Sequence, residues 1–164
     1  MRPTRIPAGA VKESLDSARF PFWFPRAAIG MNLDYDFFTY GVSFTGTNAL
    51  PVSGTLTLPI NINSDSAFMI LSATMVETDT GNTVFLMNRP LLCQLSEAGG
   101  SRSLFNTPQH VDNVFGTGEN PKYWDVPKLL LPNSVLNVTL QNLEAVARNV
   151  HVSFSGFKLF AFQK

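Results

Sequence analysis

With 164 residues, the chain is long enough for one domain with a hydrophobic core, and its hydrophobic fraction of 45% is ordinary for a globular protein. Its charged fraction of 15% is low, and its net charge of zero argues against a global field that would attract nucleic acid or an anionic membrane. The single cysteine, Cys93, excludes an internal disulfide framework. Because few charges and an aromatic fraction of 12% leave the surface short of solvating groups, we expect another protein to cover part of it.

No stretch of the sequence approaches the ~18 consecutive apolar residues of a membrane-spanning helix. The N-terminus also lacks a long apolar segment followed by a small-residue cleavage site, so we predict no secretion signal. These two features predict a protein that is made in the cytoplasm and does not associate with a membrane.

Residues 1–32, here called the arm, differ in composition from the rest of the chain. Four prolines prevent a continuous helix, although residues 10–19 have apolar side chains at helical spacing. The segment from Phe20 to Pro25 places four aromatic residues in five positions, and its prolines keep it out of a central strand. This segment either packs along its own domain as an extended belt or inserts into a groove of a neighbour. With five basic and two acidic residues, the arm has a net charge of +3 and the remainder −3, which favours docking onto an acidic subunit.

The body, residues 33–164, has the pattern of short β-strands at about ten-residue spacing. It has no helix-length amphipathic segment, which argues against a βαβ arrangement. Tight-turn residues at 78–82 indicate a hairpin. The pattern predicts a β-sandwich or barrel with strands over residues 37–45, 55–62, 68–76, 84–87 and 91–95.

The end of the chain shows the clearest strand pattern. A leucine run at residues 129–131 leads into a Pro-Asn turn, and residues 136–141 then alternate between apolar and polar side chains. After a polar break, residues 150–155 alternate in the same way. A period of two with one apolar face predicts antiparallel strands that cover a core.

Between residues 96 and 128 the periodicity is weak, and we expect a long loop that is functional or is ordered by a partner. Aromatic residues in and beside this loop could anchor it. Among them, we predict that Phe115, Tyr123 and Trp124 contact a partner.

The residues that catalysis or metal binding would need are scarce. His110, in a His-x-Asp sequence, needs further ligands to hold zinc, and His151 lies on the polar face of its strand. Asp34 and Asp36 share a strand face, but we interpret them as solvated charges rather than paired catalytic carboxylates. Cys93 lies in an apolar run, where a buried and inert thiol is expected. We therefore predict that the protein is not an enzyme and that it has no cofactor or metal site.

Three segments resemble small virion structural proteins of tailed bacteriophages. The first, Pro127 to Leu143, joins a leucine run, Pro-Asn-Ser and an alternating strand that ends in Asn-Leu. The second, Asn149 to Phe160, closes on Gly-Phe-Lys-Leu-Phe. In the middle of the chain, residues 90–118 contain Gly-Gly-Ser-Arg-Ser-Leu and Val-Phe-Gly-Thr-Gly. The resemblance covers roughly the last half of the chain and includes no catalytic motif.

This resemblance implies an all-β fold, an antiparallel β-sandwich of jelly-roll type with an extended N-terminal arm. It also implies a place in the virion, after synthesis in the host cytoplasm, as a capsid cement or decoration protein. Such proteins contact the major capsid protein or other virion subunits, often as dimers or trimers, and we expect no direct nucleic-acid role. The arm residues predicted to bind the partner are Arg2, Arg5, Arg19, Phe20, Phe22, Trp23, Phe24 and Arg26.

Two alternatives stay open at this point. One is a head–tail junction or tail component of the same kind of particle, which a much lower copy number per virion would distinguish. The other is a carbohydrate-binding β-sandwich, in which Tyr123, Trp124 and the 106–123 loop would form an aromatic platform.

Overall fold

The computed structural model describes residues 33–79, 90–98 and 103–161, which form two facing β-sheets. The predicted arm and the predicted strand at residues 84–87 lie outside these residues. The described part of the chain contains eight strands, one short α-helix and a single 3-10 turn at Gly46–Asn48. In chain order the other elements are β1 Leu33–Phe44, β2 Thr55–Asn61, β3 Ala67–Asp79, β4 Leu91–Glu97, β5 Gln109–His110, α1 Val111–Val114, β6 Lys122–Leu130, β7 Val135–Asn142 and β8 Arg148–Ala161.

Each sheet has four strands, and all neighbouring strands are antiparallel. Sheet I has the order β1-β8-β3-β6, and sheet II has the order β2-β7-β4-β5. The pairing is nested along the chain, because β1 pairs with β8, β2 with β7, β3 with β6, and β4 with β5. The predicted antiparallel β-sandwich is confirmed.

The core lies between the two sheets and follows the alternation seen in the sequence. On β7 every second residue is buried, and on β8 the apolar residues Val150, Val152 and Phe154 are almost fully buried. Their partners come from both sheets and include Phe44, Phe68 and several leucines of β4 and β7. Since each buried side chain of this size stabilises the fold by roughly 1.5–3 kcal/mol, the facing surfaces hold the sandwich together.

Sheet I contains a β-bulge in β3, the strand that lies between β6 and β8. The pairing shifts between Ile70 and Ser72, and residues 124–127 of β6 have no partner in the ladder with β3. On β8, Gly156 lies beside this bulge and close to the backbone of β3. A Cβ there would overlap the Met69 carbonyl oxygen and come within 2.9 Å of the Met69 carbonyl carbon. Only glycine therefore fits without a shift of the strands.

The segment predicted as a long loop is more ordered than its sequence pattern indicates. It contains β5 and α1, and the edge strand β6 begins at Lys122, seven residues before the leucine run. Phe115, just after α1, is buried with its ring 5.8 Å from that of Phe154. The next residue, Gly116, exchanges backbone hydrogen bonds with β3, which fixes the loop to sheet I. These tertiary contacts order a segment that has little periodicity of its own.

Charged side chains connect elements at two places. The Lys128 ammonium lies 2.5 Å from the Glu97 carboxylate and thereby joins β6 of sheet I to β4 of sheet II. The Arg148 guanidinium lies 3.4 Å from the buried carboxylate of Glu77 on β3 and also pairs with Glu144. The first contact connects the two sheets, and the second connects the neighbouring strands β8 and β3 of sheet I.

Candidate interaction surfaces

The outer face of sheet I is hydrophobic at the end where β1 begins. One row across all four strands consists of Phe37, Phe157, Met69 and Leu129, each paired with the next. The adjacent row contains Tyr35, Leu159 and Ala67. The outer patch is defined here as Tyr35, Phe37, Met69, Leu129, Phe157 and Leu159.

The outer patch has a buried centre and open margins. Met69 is 2% exposed and lies apart from the main core, whereas Phe37 is 67% exposed and Leu129 is 41% exposed. The Phe157 ring packs edge-to-face against Tyr35, at 5.4 Å, and against Phe37, at 6.0 Å. Because these rings hold one another in place, the patch presents a formed surface and needs little ordering to bind.

The next rows of the same face are polar, and they limit the patch. Thr39 and Ser155 face each other across β1 and β8 with their hydroxyl oxygens 2.9 Å apart. Further along, the Ser43 hydroxyl lies 2.9 Å from Nδ1 of His151. Polar side chains of this kind are usual on a sheet face that meets water.

Sheet II shows the usual pattern on its outer face. Thr57 and Thr139 pair there with hydroxyl oxygens 2.8 Å apart, and Gln94 donates to the Ser103 hydroxyl at 3.0 Å. The contrast between the two sheets shows that the apolar rows of sheet I are a local feature rather than a general property of the surface. Exposed apolar surfaces of this kind occur at protein or membrane contact sites and at ligand-binding grooves.

A groove of about 540 Å³ follows the bulged edge of β6. Its walls include Phe105, Val114, Trp124 and Pro127, together with the charged Lys122 and Asp125 at its rim. Tyr123 also borders the groove, and its side chain is 69% exposed.

The three loop residues predicted to contact a partner occupy different environments. Phe115 is in the core, where it stabilises the loop and offers almost no surface. The Trp124 indole N–H donates to the Val114 carbonyl at 3.2 Å, and its ring packs 6.1 Å from Phe154. Tyr123 pairs with Ser72 and so lies on the outer face, opposite to Trp124. The two rings therefore do not form one flat platform. Of the two, the Tyr123 ring is the one accessible from solvent.

The polar residues singled out in the sequence have local partners. His110 caps α1 and lies 3.5 Å from the Asp112 carboxylate, and His151 contacts Ser43. Asp36 pairs in register with Lys158, whose ammonium lies 3.9 Å above the centre of the Phe38 ring. Within residues 33–79, 90–98 and 103–161, no three histidine, cysteine or acidic side chains come together as a metal site.

Cys93 is fully buried on β4, and this burial raises the pKa of its thiol to about 12. The thiol therefore stays protonated at neutral pH and is a poor nucleophile. For the arm residues predicted to bind a partner, Arg2 to Arg26, the structure gives no placement, because they lie outside the described range.

The outer patch is the surface that sequence reasoning missed. The sequence signal that could have revealed it is the set of adjacent apolar residues on three strands, Phe37-Phe38, Phe68-Met69 and Leu129-Leu130. On β3 and β6 the other residue of the pair, Phe68 or Leu130, lies in the core. On β1, Phe38 lies on the same inner side and packs against Tyr40.

Comparisons with known proteins do not add an identity. No protein-family model matches the chain, and no curated protein matches it either. Among the helices that the structure describes, none has the length and apolar character needed to cross a membrane.

Proposed function

We propose that this protein is a structural subunit of a tailed-bacteriophage virion, and specifically a capsid cement or decoration protein. The observation that carries the proposal is the outer patch, a preformed apolar surface on a sheet face that would otherwise be solvated. A surface of this kind suits binding to another protein.

The strand order supports the same proposal. The nested pairing of β1 with β8 through β4 with β5 is the arrangement expected when one long hairpin is rolled into two sheets, and we interpret it as a jelly roll. Viral capsid proteins use this architecture, as do lectins and cupins. Since a fold alone does not determine function, the interpretation depends on the patch and on the resemblance of the C-terminal half to virion proteins.

The proposed mechanism is stabilisation of the particle by many repeated contacts. Burying the exposed parts of Phe37 and Leu129, 67% and 41% of each, against a capsid subunit would contribute roughly 1–2 and 0.6–1.2 kcal/mol before the costs of association. The arm residues Arg19 to Arg26 and the exposed Tyr123 would add contacts with the major capsid protein or a second copy of this chain. Repeated over a closed shell, such modest contacts raise the barrier to opening.

A reconstitution experiment tests the proposal. Capsids assembled without this protein are mixed with the purified chain, and bound copies are counted by quantitative mass spectrometry and located by electron microscopy. We expect hundreds of bound copies on the outer surface, and reduced occupancy for Phe37→Ser. Val146→Ser removes an apolar side chain that is similarly exposed but lies outside the patch, so it should bind as the parent does. A chain absent from particles, or equal binding of both variants, would contradict the proposal.

The same count separates the alternatives. About a dozen copies at one vertex would indicate a head–tail junction instead of a cement protein. The groove beside Tyr123 is the observation that favours the carbohydrate-binding alternative, since concave sites with an exposed aromatic ring suit small ligands.

A further inference from the structure

The outer patch lies directly beside the point where the arm joins the body. Leu33, the first residue of β1, pairs with Ala161, and two residues further along Tyr35 pairs with Leu159 at the margin of the patch. The point at which residues 1–32 join β1 is therefore at the apolar end of sheet I.

The arm contains a segment whose chemistry matches the patch. Residues 20–25 are Phe-Pro-Phe-Trp-Phe-Pro, and their prolines keep the segment extended and out of a central strand, while the aromatic side chains can lie on a sheet face. Arg19 and Arg26 flank the segment, and the arm carries a net charge of +3 against −3 for the rest of the chain.

The connection is long enough for the segment to reach the patch of its own chain. From Pro25 to Leu33 an extended chain spans up to roughly 25–30 Å. Four adjacent strands are about 15 Å wide. A tether of this length also gives an effective concentration of about a millimolar, which favours docking within one chain over docking between dilute copies.

We infer that, in the free protein, residues 20–25 dock on the outer patch of the same chain. Each apolar surface then covers the other until assembly. The second step of the inference, in which a capsid subunit takes the place of the arm on the patch, rests on the proposed function. The docking itself does not.

Trp23 provides a direct readout, because the chain has only one other tryptophan, the core-packed Trp124. The emission of Trp23 is obtained by subtracting the spectrum of Trp23→Phe from that of the parent full-length chain, and its acrylamide quenching is measured in the same way. We expect blue-shifted emission and protection from quenching. Phe37→Ser should lower the ratio of docked to undocked arm by roughly tenfold and Leu129→Ser, whose side chain is less exposed, by roughly three- to sevenfold, whereas Val146→Ser should leave it unchanged.

Three results would overturn the inference. In the first, acrylamide quenches Trp23 of the parent chain as rapidly as it quenches a free tryptophan peptide. In the second, neither patch variant reduces the protection of Trp23. In the third, the protection is lost when the chain is diluted from micromolar to nanomolar concentration. Unchanged Trp124 emission and circular dichroism in the variants establish that the sandwich is intact. The fluorescence experiment contains no capsid, so its result does not depend on whether the chain binds capsids. Arm docking can therefore be refuted while capsid binding is observed, and capsid binding can be refuted while arm docking is observed.

Discussion

Replacing Gly156 with alanine tests the close approach of β8 to β3 at the bulge. The added Cβ would overlap the Met69 carbonyl oxygen and lie within 3.1 Å of the Ile70 Cα, so all three nearest atoms belong to the backbone of a neighbouring strand. A side chain in that position could rotate away, but backbone in the middle of a four-stranded sheet cannot. We therefore expect a cost at the upper end of the overpacking range, about 3 kcal/mol.

This cost is measurable by urea unfolding and by thermal melting. For a chain of this size, 3 kcal/mol corresponds to a decrease in Tm of roughly 6–12 °C. Gly118→Ala is the matched control, because a Cβ at Gly118 has no atom within 4 Å. The control should be neutral or slightly stabilising, since alanine reduces the entropy of the unfolded chain. Equal midpoints for the two variants would refute the described register at the bulge.

Three further predictions concern single side chains. Because burial raises the pKa of Cys93 to about 12, its thiol should resist iodoacetamide at pH 8 until urea unfolds the protein, and rapid native labelling by mass spectrometry would contradict its burial. Lys128→Met removes the ion pair with Glu97 and should lower the free energy of unfolding by up to ~1 kcal/mol. Both partners are partly exposed, so 1 M NaCl should diminish this difference, and a salt-independent loss would indicate another cause. Tyr123→Ala should leave the free energy of unfolding unchanged, since its ring is mostly exposed. A glycan-array signal in the parent that this variant loses would favour carbohydrate binding over the virion proposal.

The strands that the sequence predicted best are those with a strict period of two. The alternation at residues 136–141 and 150–155 corresponds to β7 and β8, and the Pro-Asn turn before β7 has the positive φ that asparagine tolerates, 60° at Asn133. These features are local, so they can be recognised without knowledge of the partner strand.

The order of the strands and the start of β6 are set by distant contacts and could not be predicted in the same way. β1 pairs with β8 at the opposite end of the chain, and no local pattern specifies that partner. Similarly, Lys122 and Tyr123 are held in a strand by pairing with Ala73 and Ser72, although Pro127 interrupts the pattern around them. For the candidate site, the aromatic residues of the loop were recognisable, but only the tertiary structure separates the buried Phe115 from the exposed Tyr123.

The outer patch illustrates how several weak sequence features combine into one surface. A strand with one solvated face needs a polar residue at every second position, and two adjacent apolar residues break that rule. A single break on one strand is common and needs no explanation. Here β1, β3 and β6 break it at the same level of sheet I, and the register places Phe37, Met69 and Leu129 in one row. Because the strand pairing aligns these breaks, the apolar side chains form one continuous surface on the outer face of sheet I.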